Sequence, residues 1–195
     1  MSKIIHSNQS GYVEGRFIGE TIQTIIDDIM EFTKCEGIGG ILAFLDFEKA
    51  FDSVEWNFLH KCLDVYNFSS DFKKWVSVLY TDISSCVSNN GVHSDFFALS
   101  RGVRQDDPLS PYLFIVAVEI LAIAKRKNNI HGISIGDQEY KLVQYADDIT
   151  GILKDEESLK VFLDVMKSYE KVSGLKINIS KSECVWIGAS RNCKR

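Results

Sequence analysis

Two adjacent aspartates, Asp147 and Asp148, stand between the short apolar runs KLVQ and ITGIL, where the pattern predicts the tip of a β-hairpin. Strands disfavour Asp, and two neighbouring carboxylates repel each other unless a cation lies between them. The pair therefore indicates either a solvent-exposed acidic turn or a binding site for Mg²⁺, a hard ion that prefers carboxylate oxygen.

A third carboxylate, Asp46, ends a short strand far upstream of this pair. The run from Ile41 to Leu45 is wholly apolar and follows Gly39-Gly40, a pattern typical of a strand that is buried on both faces. A charge at the end of such a strand either caps the following turn or faces a site. If this strand lies beside the acidic hairpin, the three carboxylates suit the two-metal site of a phosphoryl-transfer enzyme.

Hydrophobic periodicity predicts an α+β fold: an antiparallel sheet backed by two or more helices, with the acidic residues on its open face. The expected helices span residues 16–35, 54–67, 70–82, 112–126 and a segment that Asp155 caps and Gly174 ends. The expected strands span residues 40–46, 84–88, 95–100, a hairpin near 132–142, the acidic hairpin, and residues 175–179 and 184–188. A length of 195 residues without a convincing linker predicts one domain.

The composition is that of an ordinary globular protein, with 45% hydrophobic and 25% charged residues. The N-terminal segment lacks the apolar core of a signal peptide, and the longest apolar run, residues 112–124, is too short to span a bilayer. No membrane role is expected. The five cysteines are odd in number and scattered, which favours reduced thiols in an intracellular compartment, cytoplasmic or nuclear: Cys35, Cys62, Cys86, Cys184 and Cys193.

Several ordered segments resemble the motifs of a reverse transcriptase. Asp46 is followed by Phe51-Asp52, then by RGVRQDDPLSPYLF, QYADD and SGLKINISKSE, in the order of motifs A to D of a reverse transcriptase palm. The segments are similar to the non-LTR, LINE-type retrotransposon branch, and NQSGYVEGRFIGE resembles the finger-region motif that precedes motif A. The resemblance runs from about Asn8 to Gly188.

This resemblance implies a polymerase palm of the α+β class with partial fingers. Residues from about 1 to 38 would be the finger-region portion and residues from about 39 to 190 the palm, with the thumb absent. The implied activity is that of an RNA-directed DNA polymerase, in which a primer 3′-OH attacks the α-phosphate of a dNTP. Asp46, Asp147 and Asp148 would hold two Mg²⁺ ions, with Mn²⁺ as a substitute, and Asp148 would be the more peripheral ligand.

Other residues match positions that contact the substrate in the family. Phe51 matches the aromatic steric gate that collides with a 2′-OH, although a ring there would also pack the palm. Gln105 matches the motif B glutamine beside the incoming nucleotide, and Lys181 matches the motif D lysine that protonates or neutralises pyrophosphate. Arg16 matches a finger arginine that reaches the triphosphate, although it also suits a helix start. Tyr145, next to the aspartates, completes the expected substrate contacts.

One position departs from the family pattern. Asp106 follows Gln105 where the family has Gly, a residue that lets the backbone approach a ligand or take φ values that others avoid. Added bulk and charge near a triphosphate predict impaired or lost activity. Three hypotheses stay open: a working polymerase palm, a catalytically dead palm, and another palm-type enzyme such as a nucleotide cyclase or an RNA-templated RNA polymerase.

The expected partners are an RNA template, a DNA primer, dNTP and the remainder of a retrotransposon protein, which would supply the missing fingers and thumb, with or without an endonuclease. The net charge of −5 and the pI near 5.4 are unusual for a free-standing nucleic-acid binder. This charge predicts that the segment alone binds nucleic acid weakly and with a strong dependence on salt. Basic surface that contacts the nucleic acid would then belong to the missing regions.

Overall fold

The computed structural model describes residues 1–189, and within them the expected α+β class is confirmed. Cys193 lies outside the described residues. The helical segments are α1 (Ile18–Gln23), a π-helical segment (Thr24–Glu31), α2 (Phe32–Cys35), α3 (Ala50–Ser53), α4 (Trp56–Val65), α5 (Ser70–Leu79), α6 (Ser110–Lys127) and α7 (Glu156–Ser173). The strands are β1 (Gly39–Leu45), β2 (Ser84–Ser85), β3 (Ser88–Asn89), β4 (Val92–His93), β5 (Phe97–Ala98), β6 (Ile133–Ile135), β7 (Gln138–Tyr140), β8 (Leu142–Tyr145), β9 (Asp148–Leu153) and β10 (Glu183–Gly188).

A four-stranded antiparallel sheet, in the order β10-β1-β9-β8, forms the centre of the fold. The strand β1 lies between β10 and β9, and Ala43 pairs with both Cys184 and Gly151. Leu45, the last residue of β1, pairs with Ile149 in β9. Because Asp46 follows Leu45 and Asp148 precedes Ile149, this register brings the two carboxylates to the same end of the sheet.

Both faces of the sheet carry apolar cores. On one face, Ile41 and Ala43 of β1 pack in the main core, which includes residues of α4, α6 and α7. On the other face, Leu42 of β1 and Ile152 of β9 pack with Ile29 of the π-helical segment in a second, smaller core. The face that the sequence predicted to be open is therefore covered in part, because the N-terminal helical stretch folds back over it.

The two ends of α7 are those that the sequence predicted. The Asp155 carboxylate accepts a hydrogen bond of 2.8 Å from the Ser158 N–H, which satisfies an N–H group in the first turn. Gly174 follows the last turn with a φ of 78°, in the left-handed region that favours glycine. Both capping residues are confirmed. The helix between them packs against β1 and β9.

Three of the expected strands differ from the structure. Residues 175–179 are not a strand, because only Ile177 pairs, in a single bridge to Phe47 just beyond the end of β1. In place of one hairpin of strands 84–88 and 95–100, residues 84–98 form two short ladders, β2 with β5 and β3 with β4. Between the ladders, the Ser94 hydroxyl accepts a hydrogen bond of 2.9 Å from the Val87 N–H and replaces a backbone partner.

The N-terminal helix has the expected extent but not the expected packing. Its central turns, Thr24–Glu31, are π-helical, and Ile29 there is fully buried. Ile22, Ile26 and Met30, whose helical spacing predicts a single apolar stripe, are exposed. In a π-helix the wider turn shifts successive side chains round the axis, so the stripe does not face one core. No helix among residues 1–189 is long and apolar enough to cross a membrane.

Lys125 is an ionisable residue within the main core. Its relative exposure is 1%, and its Nζ lies 3.4 Å from the centroid of the Phe162 ring with no hydrogen-bond partner in the described part of the chain. Burial lowers the pKa of Lys125 well below its ordinary value, since an ammonium group without a partner is costly in an apolar environment.

Replacing Lys125 with Met is expected to raise the free energy of unfolding by about 1–2 kcal/mol near pH 7, because the flexible apolar chain fits the same space without a buried amine. A lowered pKa means that the unfolded chain binds more protons than the folded chain, so the stability of the parent rises with pH. The advantage of the variant should therefore shrink towards pH 10. Urea unfolding at several pH values measures both effects.

The matched control is Lys160→Met, which changes an exposed lysine on the neighbouring α7. This control should change the free energy of unfolding by less than about 0.5 kcal/mol. A Lys125→Met variant that is less stable than the parent at every pH would contradict the interpretation and assign a net stabilising role to the contact with Phe162.

Candidate active site

The acidic hairpin predicted from the sequence is present. The turn Tyr145-Ala146-Asp147-Asp148 joins β8 to β9, and Tyr145 pairs with Asp148 at the base of the turn. Ala146 has a φ of 53°, in the left-handed region that residues with a Cβ avoid at a cost of about 1–2 kcal/mol. A two-residue hairpin turn requires a positive φ, so the short connection between the strands imposes this conformation on Ala146.

Asp46 lies next to this hairpin, directly after β1. Two residues that lie between α7 and β10 in the sequence hold its backbone. The Asp46 N–H donates to the Ser182 hydroxyl at 3.2 Å, and the Asp46 carbonyl accepts from the Asn178 N–H at 2.8 Å. Its carboxylate oxygen Oδ2 is buried and has no hydrogen-bond partner among residues 1–189. Buried polar atoms are nearly always satisfied, so an unpaired carboxylate oxygen at this position indicates a ligand site.

The electrostatics of Asp148 show that the three carboxylates interact. Asp148 is exposed as a residue, yet partial burial of its carboxyl raises its pKa, and the negative charges of Asp147 and Asp46 raise that pKa further. Like charges that share a site disfavour ionisation, and a bound cation would reverse this effect. The arrangement at this end of the sheet therefore favours a cation.

These residues suit a divalent metal in their chemistry. Carboxylate oxygens are the ligands that Mg²⁺ and Mn²⁺ prefer, and Asp46 offers an unpaired one. Within the part of the chain that the structure describes, no three His, Cys, Asp or Glu side chains are grouped closely enough to coordinate a metal as they stand. Coordination of one ion by all three carboxylates therefore requires at least one of these side chains to move.

A cleft of about 470 Å³ lies on one side of the acidic turn. It brings Asp147 together with Phe51 and Gln105, two residues that the sequence predicted to contact substrate. Two cations, Lys49 and Arg104, also line the cleft. A second cleft of about 440 Å³ lies on the other side of the turn and contains Asp46, Asp148 and Lys181. The two aspartates of the turn thus line different clefts, with Asp46 beside only one of them.

Phe51 forms part of the wall of the first cleft. Its ring stacks on Phe114 of α6, with a distance of 4.7 Å between the ring centroids and an interplanar angle of 11°. Phe114 is fully buried, whereas Phe51 is partly exposed. The main core therefore supports one face of the Phe51 ring, and the ring lines the cleft from a rigid base.

The loop before α6 forms the opposite side of this cleft. Asp106 has a φ of 61°, so the position where the family has Gly adopts the left-handed conformation that favours glycine. Gln105 donates from Nε2 to the Asp52 carboxylate at 3.1 Å. Asp107 accepts hydrogen bonds from the Ser110 N–H at 3.1 Å and the Ser110 hydroxyl at 2.8 Å, which ties the loop to the start of α6.

The last two predicted site residues, Tyr145 and Arg16, differ in their position relative to the acidic turn. Tyr145 is 38% exposed at the end of β8 and lies next to the acidic turn. The Arg16 guanidinium donates to the backbone carbonyls of Ile5, at 2.8 Å, and of His6 and Gln9. In this structure Arg16 closes the N-terminal loop, and its contact with a triphosphate stays a prediction.

Sequence reasoning missed three residues beside the turn. Tyr12 and Lys49 line the first cleft, and both have a positive φ, 54° and 48°. Gln9 is buried and hydrogen-bonded to the backbone of Ala146. Gln9 and Tyr12 lie within the segment that resembles the finger-region motif, but that resemblance singled out only Arg16, and no motif singled out Lys49. All three reach the turn only through the tertiary fold.

An antiparallel sheet with helices packed on it and three carboxylates at one of its ends is the arrangement of a polymerase-type palm, the fold that the sequence predicted. The sequence model of the family described as "Reverse transcriptase (RNA-dependent DNA polymerase)" matches residues 1–194. The chain belongs to this reverse transcriptase family.

Its curated relatives include retrotransposon proteins. The chain is 31% identical over 184 residues to the transposon TX1 uncharacterized 149 kDa protein of Xenopus laevis, covering 93% of this chain and 14% of that protein. It is 29% identical over 165 residues to the Pol polyprotein of the type-2 retrotransposable element R2DM of Drosophila melanogaster, covering 85% of this chain and 15% of that protein. The expected relationship to non-LTR retrotransposons is confirmed.

Solved structures support the same fold. Telomerase from Candida tropicalis, in complex with a fragment of telomeric RNA, superposes with a TM-score of 0.66 at 15% sequence identity, covering 95% of this chain and 31% of that one. At this identity the likeness establishes the fold alone. The chain thus spans about one seventh of the two retrotransposon relatives and about one third of this telomerase chain.

Proposed function

We propose that this chain is the catalytic palm of an RNA-directed DNA polymerase from a non-LTR retrotransposon, which adds deoxynucleotides to a primer 3′-OH on an RNA template. The observation that carries this proposal is the position of Asp46, Asp147 and Asp148 at one end of the sheet. Asp147 lines the cleft that also contains Phe51 and Gln105, and Asp46 and Asp148 line the neighbouring cleft with Lys181. Residues 1–38 would act as part of the fingers and residues 39–190 as the palm, within a longer parent protein that supplies the remaining fingers and thumb.

Asp46, Asp147 and Asp148 would hold two divalent ions, Mg²⁺ or Mn²⁺. When bound, such ions lower the pKa of the attacking hydroxyl and neutralise the charge that develops on the phosphates. The buried, unpaired Oδ2 of Asp46 and the raised pKa of Asp148 both support cation binding at this position.

The other residues of the two clefts would orient the substrate. Lys49 and Arg104 supply positive charge in the first cleft, where a dNTP triphosphate would enter. Gln105 would lie beside the nucleotide, and its hydrogen bond with Asp52 orients its amide. Lys181 shares the second cleft with Asp46 and Asp148 and would neutralise or protonate the departing pyrophosphate.

The test is extension of a DNA primer on an RNA template in the presence of Mg²⁺. The chain is assayed as it stands and also grafted in place of the 184 matching residues of the TX1 protein. Extension with dNTP by either protein supports the proposal. Failure of both, with the unaltered relative active, contradicts it. Preference for rNTP would favour an RNA-templated RNA polymerase, and product formation without a template would favour a nucleotide cyclase.

Replacing Phe51 with Val is expected to weaken the choice of dNTP over rNTP by about 10- to 100-fold, the range typical of one packing contact with a substrate. The reason is that the supported ring would collide with a 2′-OH, and the shorter side chain leaves room for that group. The ratio of kcat/KM for dNTP and rNTP measures the effect. The control is Phe96→Val, which alters an exposed ring. An unchanged ratio in the Phe51 variant would assign the ring to packing alone.

A second candidate function is that of a palm which keeps its fold but has lost catalytic power. The observation that favours it is Asp106, which adds a negative charge to the cleft that would receive a triphosphate. Restoring glycine at this position separates the two candidates.

A further inference from the structure

The N-terminal segment runs beside the strand that leads into the acidic turn. The Gln144 N–H donates to the Asn8 carbonyl at 2.7 Å, and the Ser10 N–H donates to the Gln144 carbonyl at 2.9 Å. These two bonds form a parallel bridge between residues 9 and 144. Residues more than 130 positions apart in the sequence therefore meet at the base of the turn.

The side chain of Gln9 continues this contact to the tip of the turn. Its Nε2 donates to the Ala146 carbonyl at 3.2 Å, and its Oε1 accepts from the Ala146 N–H at 2.8 Å. Oε1 also accepts from the Gly11 N–H at 2.8 Å. The exposed fraction of Gln9 is 2%, so these bonds are shielded from competition with water. One side chain thus satisfies both backbone polar groups of the residue that precedes Asp147.

Ala146 requires such support because its φ of 53° is unfavourable for a residue with a Cβ. Gly11 lets the N-terminal segment approach the turn closely. A Cβ on Gly11 would lie 2.4 Å from the Ala146 nitrogen and would clash with the backbone of the turn. A glycine at residue 11 and a buried amide at residue 9 are therefore both matched to one strained residue of the candidate active site.

We propose that Gln9 is a positioning residue of the polymerase: it holds Ala146 in the left-handed conformation and thereby orients the Asp147 carboxylate towards the cleft. The catalytic part of this inference rests on the proposed function. The structural part, that Gln9 restrains the turn, is independent of it. Gln9 lines neither of the two clefts and acts through the backbone of Ala146. A displacement of about 1 Å at a catalytic group can lower turnover by about 10²-fold.

The test uses two variants of the full chain, assayed alone and in the TX1 graft. Gln9→Met keeps the buried volume and removes all three hydrogen bonds of the amide. Gly11→Ala places a Cβ 2.4 Å from the Ala146 nitrogen and keeps the Gln9 side chain. The matched control is Gln138→Met, which changes an exposed glutamine on β7. The first readout is amide hydrogen exchange at Ala146 and along β1 and β9, and the second is kcat and KM for dNTP.

We expect exchange at Ala146 to rise by about tenfold or more in both variants, while β1 and β9 stay protected. We also expect kcat to fall by about 10- to 100-fold with KM changed less than about twofold. Unchanged exchange at Ala146, or protection lost across the whole sheet, would overturn the restraint of the turn. Faster exchange at Ala146 with an unchanged kcat would overturn the catalytic consequence. Inactivity of the unaltered graft would count against the proposed function. The amide hydrogen exchange at Ala146 would still test whether Gln9 restrains the turn.

Discussion

Replacing Asp46 with Asn is expected to lower primer extension by about a thousandfold, because the loss of about 4 kcal/mol of transition-state stabilisation corresponds to a factor of ~10³. Asn has nearly the same shape but cannot supply the negative charge that a divalent ion requires. The backbone bonds of Asp46 to Ser182 and Asn178 do not involve its side chain, so the fold should persist. Steady-state extension at saturating Mg²⁺ measures the loss.

The control for this prediction is Asp137→Asn, which removes the same charge from the exposed turn between β6 and β7. Extension by this control should stay within about twofold of the parent, because it changes the net charge equally but lies outside both clefts. An Asp46→Asn variant with near-normal extension would remove this residue from the metal site. A variant that is inactive and also unfolded, by circular dichroism, would point to a structural role.

The parts of the fold that the sequence predicted correctly are those with a local sequence pattern. The strand that ends at Asp46 is wholly apolar, and the structure buries most of it between two cores. Asp155 and Gly174 lie directly before and after α7, so each is adjacent in sequence to the end of the helix that it caps. The acidic hairpin followed from two apolar runs on either side of a short turn. Each of these signals acts over a few residues, so each can be recognised before the tertiary contacts are known.

The features that the sequence did not predict depend on distant contacts. Gln9 and Ala146 are 137 positions apart, and no periodicity links a polar residue in the N-terminal loop to a turn in the palm. Arg16 resembles a phosphate-binding residue in its motif, yet in the structure three backbone carbonyls accept its hydrogen bonds. The apolar stripe of the first helix includes Ile22 and Ile26, which are exposed, because periodicity does not reveal a π-helical segment. The catalytic roles of the predicted site residues stay predictions that the variants above test.

Replacing Asp106 with Gly is expected to raise kcat/KM for dNTP by about tenfold or more and the free energy of unfolding by about 1 kcal/mol. The stability gain follows from the φ of 61°, since a residue with a Cβ in the left-handed region is strained and glycine is not. The catalytic gain follows from charge. Asp106 lines the same cleft as Asp147, and repulsion between one exposed carboxylate and a triphosphate costs about 1 kcal/mol per charge pair. Extension rates over a range of dNTP concentrations, together with urea unfolding, measure both effects.

Two further variants separate strain from charge at this position. Asp106→Asn removes the charge but keeps a side chain that tolerates the left-handed conformation, so it should recover most of the gain in kcat/KM with little gain in stability. Asp106→Ala removes the charge and keeps the strain of a Cβ, so it should gain in kcat/KM but be less stable than the glycine variant. Equal extension by the parent and the glycine variant would show that the cleft tolerates the carboxylate. Extension by the glycine variant alone would identify the chain as an inactive copy of a working polymerase, in which one residue accounts for the loss.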